Sequence, residues 1–378
     1  MLNRRSLRVK GMQAIFAYQT SKAAEYNICR RSAQDQFLPD LTSMEEQDKD
    51  ALKENQKQVG EIFDSIHQNS SSIDESRPEL IKAAKHYLSL YENKLKESHG
   101  QIKRRMIDGF NDLFGLYIKL LYLILDMEEV ITASKVKRSN PHNNFKTNKV
   151  IILLRNFNLL EAEKNKKNLQ WDGETLRTWY KEFFRSSQTY QDYDNSSNPS
   201  FETDHAFVLE FYKSIIFKNA LVNDYFESID LGWAENKSIL KSMVLKTIKS
   251  IESEEETPKL MELSKNWDDD LDFLKRLFDA TINSEKEYQE MINQKSKNWE
   301  IERLALTDRI VLEMAVAELI NFPSIPIKVT INEYIELSKQ YSTPKSKQYV
   351  NGLLDVLSVD LQKEGFIKKS GRGLLDNK

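Results

Sequence analysis

The chain has 378 residues, 30% of them charged and 40% hydrophobic, and carries a formal net charge of −3. Gly (11) and Pro (8) are scarce; ordinary chains hold about 12% of the two together. That scarcity excludes β-sandwiches, collagen-like repeats and Gly/Ser linkers, and predicts long helices. The single cysteine, Cys29, excludes an internal disulfide framework and a Cys-based zinc site.

The modest net charge hides an uneven distribution. Residues 1–31 hold seven Lys/Arg against Glu25 alone, and residues 32–61 hold three Lys against eight acids. Residues 328–378 hold nine basic and six acidic side chains. Any binding of nucleic acid must therefore use a local patch, because steering acts through local fields. The longest apolar stretch, Leu116 to Leu125, is broken by Lys119 and is too short to span a bilayer. No membrane partner is expected. The basic start lacks the apolar core of a secretory signal, and an amphipathic transit peptide is a minor alternative. The expected location is cytoplasmic.

In chain order, Leu7, Gly11, Ala14, Ile15 and Tyr18 predict a helix over 6–20 that places Arg4 and Arg8 on one face. A polar, acidic stretch follows from Ser32 to Lys57, then a Ser/Asn-rich break from Ser65 to Pro78. Helices are predicted over 79–97 and 99–131, the second with a broad apolar band from Ile102 to Ile124. Arg138 to Lys149, with Asn140-Pro141, reads as a loop, two shorter helices reach Arg185, and Ser186 to Ser200 reads as a linker. Helical patterns resume beyond it, two of them separated by the acidic Glu252 to Pro258. Thr330-Ile331-Asn332-Glu333 matches a capping box, and Thr343-Pro344 matches an N-cap followed by Pro in the first turn. The last helix should bury Val350, Leu353, Leu354, Leu357 and Leu361. Gly352 suggests close approach of another backbone, and the tail from Gly365 is expected to be loose.

Catalytic signatures are missing from the sequence. The five histidines are scattered without ligand spacing, and there is no phosphate-binding Gly-rich loop and no Gly-flanked serine nucleophile. The reading is a non-enzyme with no cofactor and no metal. The termini offer other chemistry. Helical arginines can follow successive phosphates. The start of the Thr343 helix adds N–H groups, Lys345 and Lys347, and Tyr349 as a ring for stacking on an unpaired base.

Together these residues resemble the NusB transcription antitermination family. Arg4-Arg5-Ser6-Leu7-Arg8 followed by Met12-Gln13-Ala14-Ile15-Phe16 is similar to the family's opening helix. Asp308-Arg309-Ile310-Val311-Leu312 with Glu318-Leu319 resembles its central helix. Ile325 to Lys339 resembles its Pro-x-Lys-Val-Ala-Ile-Asn-Glu stretch, and Ser346 to Asp355 its Lys-Phe-Val-Asn-Gly ending. Order and spacing agree over 298–357; the likeness covers 1–20 and, more loosely, 205–360.

The resemblance implies an all-α fold: NusB-like helical bundles with an additional helical insertion. The expected organisation is 1–31 as the first core helix, 32–200 as an insertion of unknown role, 201–362 as the rest of the core, and 363–378 as a basic tail. It implies binding of boxA-type single-stranded RNA with the small-subunit ribosomal protein that serves as NusE, and indirect contact with the RNA polymerase elongation complex. By position, Arg4, Arg5, Arg8, Lys345, Ser346 and Tyr349 match RNA-facing residues, and Phe16 and Asp308 match positions facing the ribosomal partner. Ser6 interrupts the arginine run, Pro344-Lys345 replaces an acidic pair, and Tyr349 replaces a Phe. The competing reading is a helical protein–protein scaffold without an RNA role. An rRNA methyltransferase with a NusB-like domain would need a Rossmann-like part and a nucleophilic cysteine, neither of which fits a chain whose only thiol is Cys29.

Overall fold

The computed structural model describes residues 2–69, 76–135, 144–296 and 304–377. Among them there are helices and turns and no strand. Residues 70–75 of the expected Ser65–Pro78 break and 138–143 of the expected Arg138–Lys149 loop lie outside the described residues. Ser65–His67 closes a helix, and Asn144–Thr147 is a helical turn with Asn144 and Phe145 buried, so neither stretch is irregular throughout as expected. The chain forms two compact units: Met1–Ser6 with Ile107–Asp270, and Leu7–Met106 with Leu271–Lys378.

Helix α1 (Arg4–Asp35), which belongs to the second unit from Leu7 onward, continues well past the stretch expected to be helical. Helix α2 (Lys49–His67) is capped by the Asp48 carboxylate, which accepts from the Asp50 and Ala51 N–H groups. Helix α3 (Pro78–Lys135) is one element of 58 residues, with no break between its two expected halves. Cys29, Ala33, Val59, Phe63, Ala84 and Tyr91 from these helices form one apolar core. The Arg30 guanidinium closes its edge, donating to Asp64 at 2.8 and 2.9 Å. Cys29 is buried. Helices α12 (Trp267–Asn283), α13 (Glu285–Lys295), α14 (Leu306–Asn321), α15 (Ile327–Tyr341) and α16 (Pro344–Lys363) complete the unit. Helix α14 is buried all round from Ile310 to Leu319, apolar except for Glu313 and Glu318, the pattern of a central helix. Gly11 brings α1 close to it: a Cβ there would sit 3.4 Å from Met314 and 3.5 Å from Leu274.

In the first unit, α3 from residue 107 is followed by the short helices α4 (Asn144–Thr147), α5 (Lys149–Arg155), α6 (Asn158–Lys166), α7 (Gly173–Trp179), α9 (Phe201–Glu210), α10 (Ala220–Ile229) and α11 (Trp233–Lys249). The stretch expected to be a linker contains α8 (Gln188–Asp194), capped by Ser187, with Tyr190 and Tyr193 buried. Burial of two aromatic rings outweighs the polar composition that suggested a loop. The Tyr193 ring stacks on Phe207 at 3.9 Å, and its hydroxyl donates to Asp204 at 2.7 Å while accepting from Asn148 at 2.8 Å.

Three local expectations fail near the C-terminus. Thr330 does not cap α15: Pro326 occupies that position, and Thr330 lies a turn inside with its hydroxyl donating to Glu318 at 2.9 Å. A Cβ at Gly352 would meet nothing within 4 Å, so among the described residues no backbone approaches it. The tail is docked rather than loose. Ile367 is buried, Lys369 donates to the Leu319 and Phe322 carbonyls at 2.9 and 3.1 Å, and the Ser370 N–H donates to Pro323 at 3.0 Å. Gly373 fits only as glycine, since a Cβ would lie 2.0 Å from the Pro323 carbonyl oxygen.

Candidate nucleic-acid interface

The first turn of α1 contains no acidic residue and begins with two exposed arginines, Arg4 and Arg5. Cations at a helix N-terminus oppose the helix dipole, so stability of the helix does not account for them. The turn is held by Asn3, whose side-chain oxygen accepts from the Ser6 N–H at 2.8 Å. The Arg4 Nε lies 3.0 Å from Asp270 with the side chain 42% exposed. The Asp270 side chain is only 14% exposed and also accepts from the Ser264 hydroxyl at 2.6 Å, so a phosphate must compete with a positioned carboxylate for Arg4, whose own side chain remains open to water.

Arg8 is different. The sequence places it on the Arg4 face, but it is 2% exposed. Its Nε and Nη2 donate to the two carboxylate oxygens of Glu318 at 2.8 and 2.7 Å. Glu318, itself fully buried, also accepts from Thr330 and from the Tyr334 hydroxyl at 3.1 Å. The Glu333 carboxylate lies 3.5 Å from Arg8 Nη1, and the guanidinium carbon sits 5.5 Å from the Phe273 ring centre. Burial works against the Arg8 charge, but the hydrogen bond and charge of Glu318, with Tyr334 and Glu333, hold its pKa above the ordinary value. Burial, then the Glu318 charge, pushes the Tyr334 hydroxyl well above its usual range. Arg8 is thus the centre of a buried network joining α1, α14 and α15, with its fork already filled.

The start of α16 follows the expected pattern. Thr343 caps it, accepting from the Ser346 N–H at 3.3 Å, and the two hydroxyls lie 2.9 Å apart. Ser346 and Lys347 are half-buried; the Lys345 side chain lies outside the described residues. Tyr349 is half-buried, and its hydroxyl lies 2.9 Å from that of Ser296. Ser346 and Tyr349 share the opening turns of one helix. Phe16 stands 41% exposed on α1, whereas Asp308, in the first turn of α14, is buried with one carboxylate oxygen lacking a hydrogen-bond partner. Asp308 therefore offers a partner little surface in the free chain.

The network partners Glu318, Thr330 and Tyr334 were missed as a group. The signal was present: two glutamates, Glu313 and Glu318, sit inside an otherwise continuous apolar run. A buried carboxylate requires a buried cation or donors, and Arg8 is the nearest arginine on a buried stripe of α1. No group of three or more His, Cys, Asp or Glu able to hold a metal ion occurs among the described residues. No helix among them is long and apolar enough to cross a membrane.

Residues 236–358 match the family model described as the NusB family. The chain is 44% identical over 104 residues to the transcription antitermination protein NusB of Salinibacter ruber, spanning 28% of this chain and 65% of that protein. It is 38% identical over 105 residues to NusB of Chloroherpeton thalassium, spanning 28% of this chain and 50% of the relative. Against NusB of Dictyoglomus thermophilum it is 37% identical over 100 residues, spanning 25% of this chain and 69% of the relative. The first two relatives are thus covered over less than two-thirds of their length. A solved structure of T. maritima NusB matches at 24% identity over 41% of this chain and 90% of that one, with a TM-score of 0.24. The matched segments lie where the Arg8 network draws its acid, Glu318, and its hydroxyls, Thr330 and Tyr334, and on that sequence likeness the chain belongs to the NusB family.

Proposed function

We propose that the chain binds boxA-type single-stranded RNA together with the small-subunit ribosomal protein that serves as NusE, and so supports antitermination in rRNA transcription. The observation that carries this reading is the exposed pair Arg4 and Arg5 at a helix start without acids. Phosphates dock on these arginines, with Lys345 and Ser346 supplying further donors at the start of α16. The Tyr349 ring stacks on an unpaired base. Phosphate contacts supply affinity and salt dependence, and the base contact supplies what specificity there is. Arg8 takes no phosphate in this mechanism; it anchors α1, which carries the two that do. Phe16 offers the ribosomal protein an apolar anchor, with Asp308 beneath the surface as support. The reaction is binding without catalysis, set in the cytoplasm, with the polymerase elongation complex reached indirectly.

The test is binding of a boxA RNA oligonucleotide by the full chain, with and without purified NusE, across a salt series. Arg4→Glu with Arg5→Glu should weaken binding and flatten the salt dependence by about 0.7 in log–log slope for each phosphate that is no longer neutralised. Unchanged affinity at fixed salt would remove the site.

A further inference from the structure

The loop between α1 and α2 is built to hold apolar side chains in water. Phe37 packs against the core of the second unit, and its carbonyl accepts from Gln56 at 3.0 Å. Beyond it, the Gln47 amide grips the Asp40 backbone at both ends, accepting from its N–H at 2.8 Å and donating to its carbonyl at 2.7 Å. The Asp40 carboxylate accepts from the Thr42 N–H and hydroxyl at 2.9 and 2.7 Å. On this stapled frame Leu41 is 96% and Met44 103% exposed. From Asp35 to Asp50 the loop and its flanks carry six acids against Lys49 alone. A prepared apolar tip in an acidic collar is a ligand for a cavity with an apolar floor and a cationic rim, and its fixed shape lowers the ordering cost of binding.

The first unit of the same chain contains such a cavity, of about 1240 Å³. This exceeds the roughly 300–1,000 Å³ of small-molecule sites and suits a polypeptide segment. Its accessible apolar surface comes from Val130 and Leu169, half-buried, and Ala133, exposed; Trp171 and Leu176, also in the lining, are buried. Arg177, Lys181 and Arg185, each four residues apart across α7 (Gly173–Trp179) and the π-turn after it (Tyr180–Phe184), line it with exposed cations against one exposed anion, Glu129. Its other two carboxylates are withdrawn: Asp194 is buried, and Asp126 is half-buried beside Lys164.

We propose that this chain self-associates by seating the Leu38–Glu46 loop of one copy in the Arg177–Arg185 cavity of a second copy. Leu41 and Met44 fill the apolar floor, and Glu45 and Glu46 meet the cationic rim. Such a contact joins two unlike surfaces. It closes as a reciprocal dimer if both loops are seated at once, and otherwise runs on as a chain of copies.

The experiment is sedimentation of the full-length protein over a wide concentration range, at low and high salt. Association that strengthens with concentration and weakens with salt is expected. Leu41→Ser with Met44→Ser, and separately Arg177→Glu with Lys181→Glu, should each weaken it by at least about tenfold, the effect of losing one buried Leu-sized side chain. All four residues are exposed in a single copy, so each variant should keep the parent's circular dichroism and melting curve. Adding Glu45→Lys and Glu46→Lys to the rim variant should restore association, a result that misfolding cannot produce. A monomer at every concentration overturns the proposal, as does association indifferent to either pair. If the rim variant instead lowers RNA oligonucleotide binding while the loop variant changes nothing, the cavity is an RNA site and the proposal fails. None of these readings depends on Arg4, Arg5 or Tyr349, so the boxA reading stands or falls separately.

Discussion

Replacing Arg8 by alanine should destabilise the second unit rather than weaken RNA binding directly. The substitution leaves Glu318 fully buried with its cation gone and only the Thr330 and Tyr334 hydroxyls as donors. Breaking a buried pair from one side costs about 3–5 kcal/mol, because the remaining charge is uncompensated. Glu318→Gln should also destabilise, but by less, because Glu333, 3.5 Å from the Arg8 Nη1, still offsets the guanidinium charge. Replacing both partners with Met and Leu removes both charges and keeps much of the volume. Its cost comes mainly from the two hydroxyls that lose an acceptor, at about 1–3 kcal/mol each, so it should be comparable with one single change and well short of the two single changes added together. Hydrogen exchange of α14 and α15 amides reads the local free energy, and the double-mutant cycle isolates the pair. If Arg8→Ala stays within about 1 kcal/mol of the parent while its RNA affinity falls as far as that of Arg5→Glu, the guanidinium faces RNA and the buried network is not its role.

Glu313 gives a pH dependence. Burial pushes its pKa up to about 7; Gln289 opposes this, the Glu285 charge adds to it, and Arg309 and Lys22 oppose it. Its folded pKa lies above the ordinary 4.5 of the unfolded chain. The unfolded state therefore loses the proton first, and stability falls as pH rises from about 4.5 to about 7, by roughly 3 kcal/mol in all, and is flat above. Glu313→Gln, which keeps an acceptor for the Gln289 amide, should abolish that slope in urea titrations run across this range; a slope unchanged in the variant would assign it elsewhere. Gly373→Ala should undock the tail, because its Cβ collides with the Pro323 carbonyl; faster proteolysis after Ile367 reports this. Gly352→Ala, facing open space on a helix, should instead stabilise by about 0.5–1 kcal/mol, and a lowered melting temperature would contradict that.

The helical class was legible because it rests on composition and periodicity. Chain scarce in Gly and Pro has few places to turn, and the apolar stripes of α3 and α16 repeat at helical spacing. The cap of α16 was legible for a similar reason: Thr343 and Pro344 act on the first turn they belong to. Thr330 failed by the same logic. Its capping-box spacing is real, but Pro326 starts the helix a turn earlier, and the buried Glu318 takes the hydroxyl. The Ser186–Ser200 stretch misled because polar residues outnumber the two tyrosines whose burial decides its structure.

What the sequence determined alone is local: a helical polypeptide, a cationic start, an apolar central helix with two embedded acids, and motifs spaced as in NusB proteins. Which charges stay in water was settled only by tertiary structure. Arg4, Arg5 and Arg8 are the same residue type on one helix, and nothing within a turn separates them. Arg8 is buried because Glu318, some three hundred residues along the chain, comes to lie opposite it with Thr330 and Tyr334. A charge leaves water only where partners of opposite sign and matching geometry await it, and that meeting is a property of the folded chain.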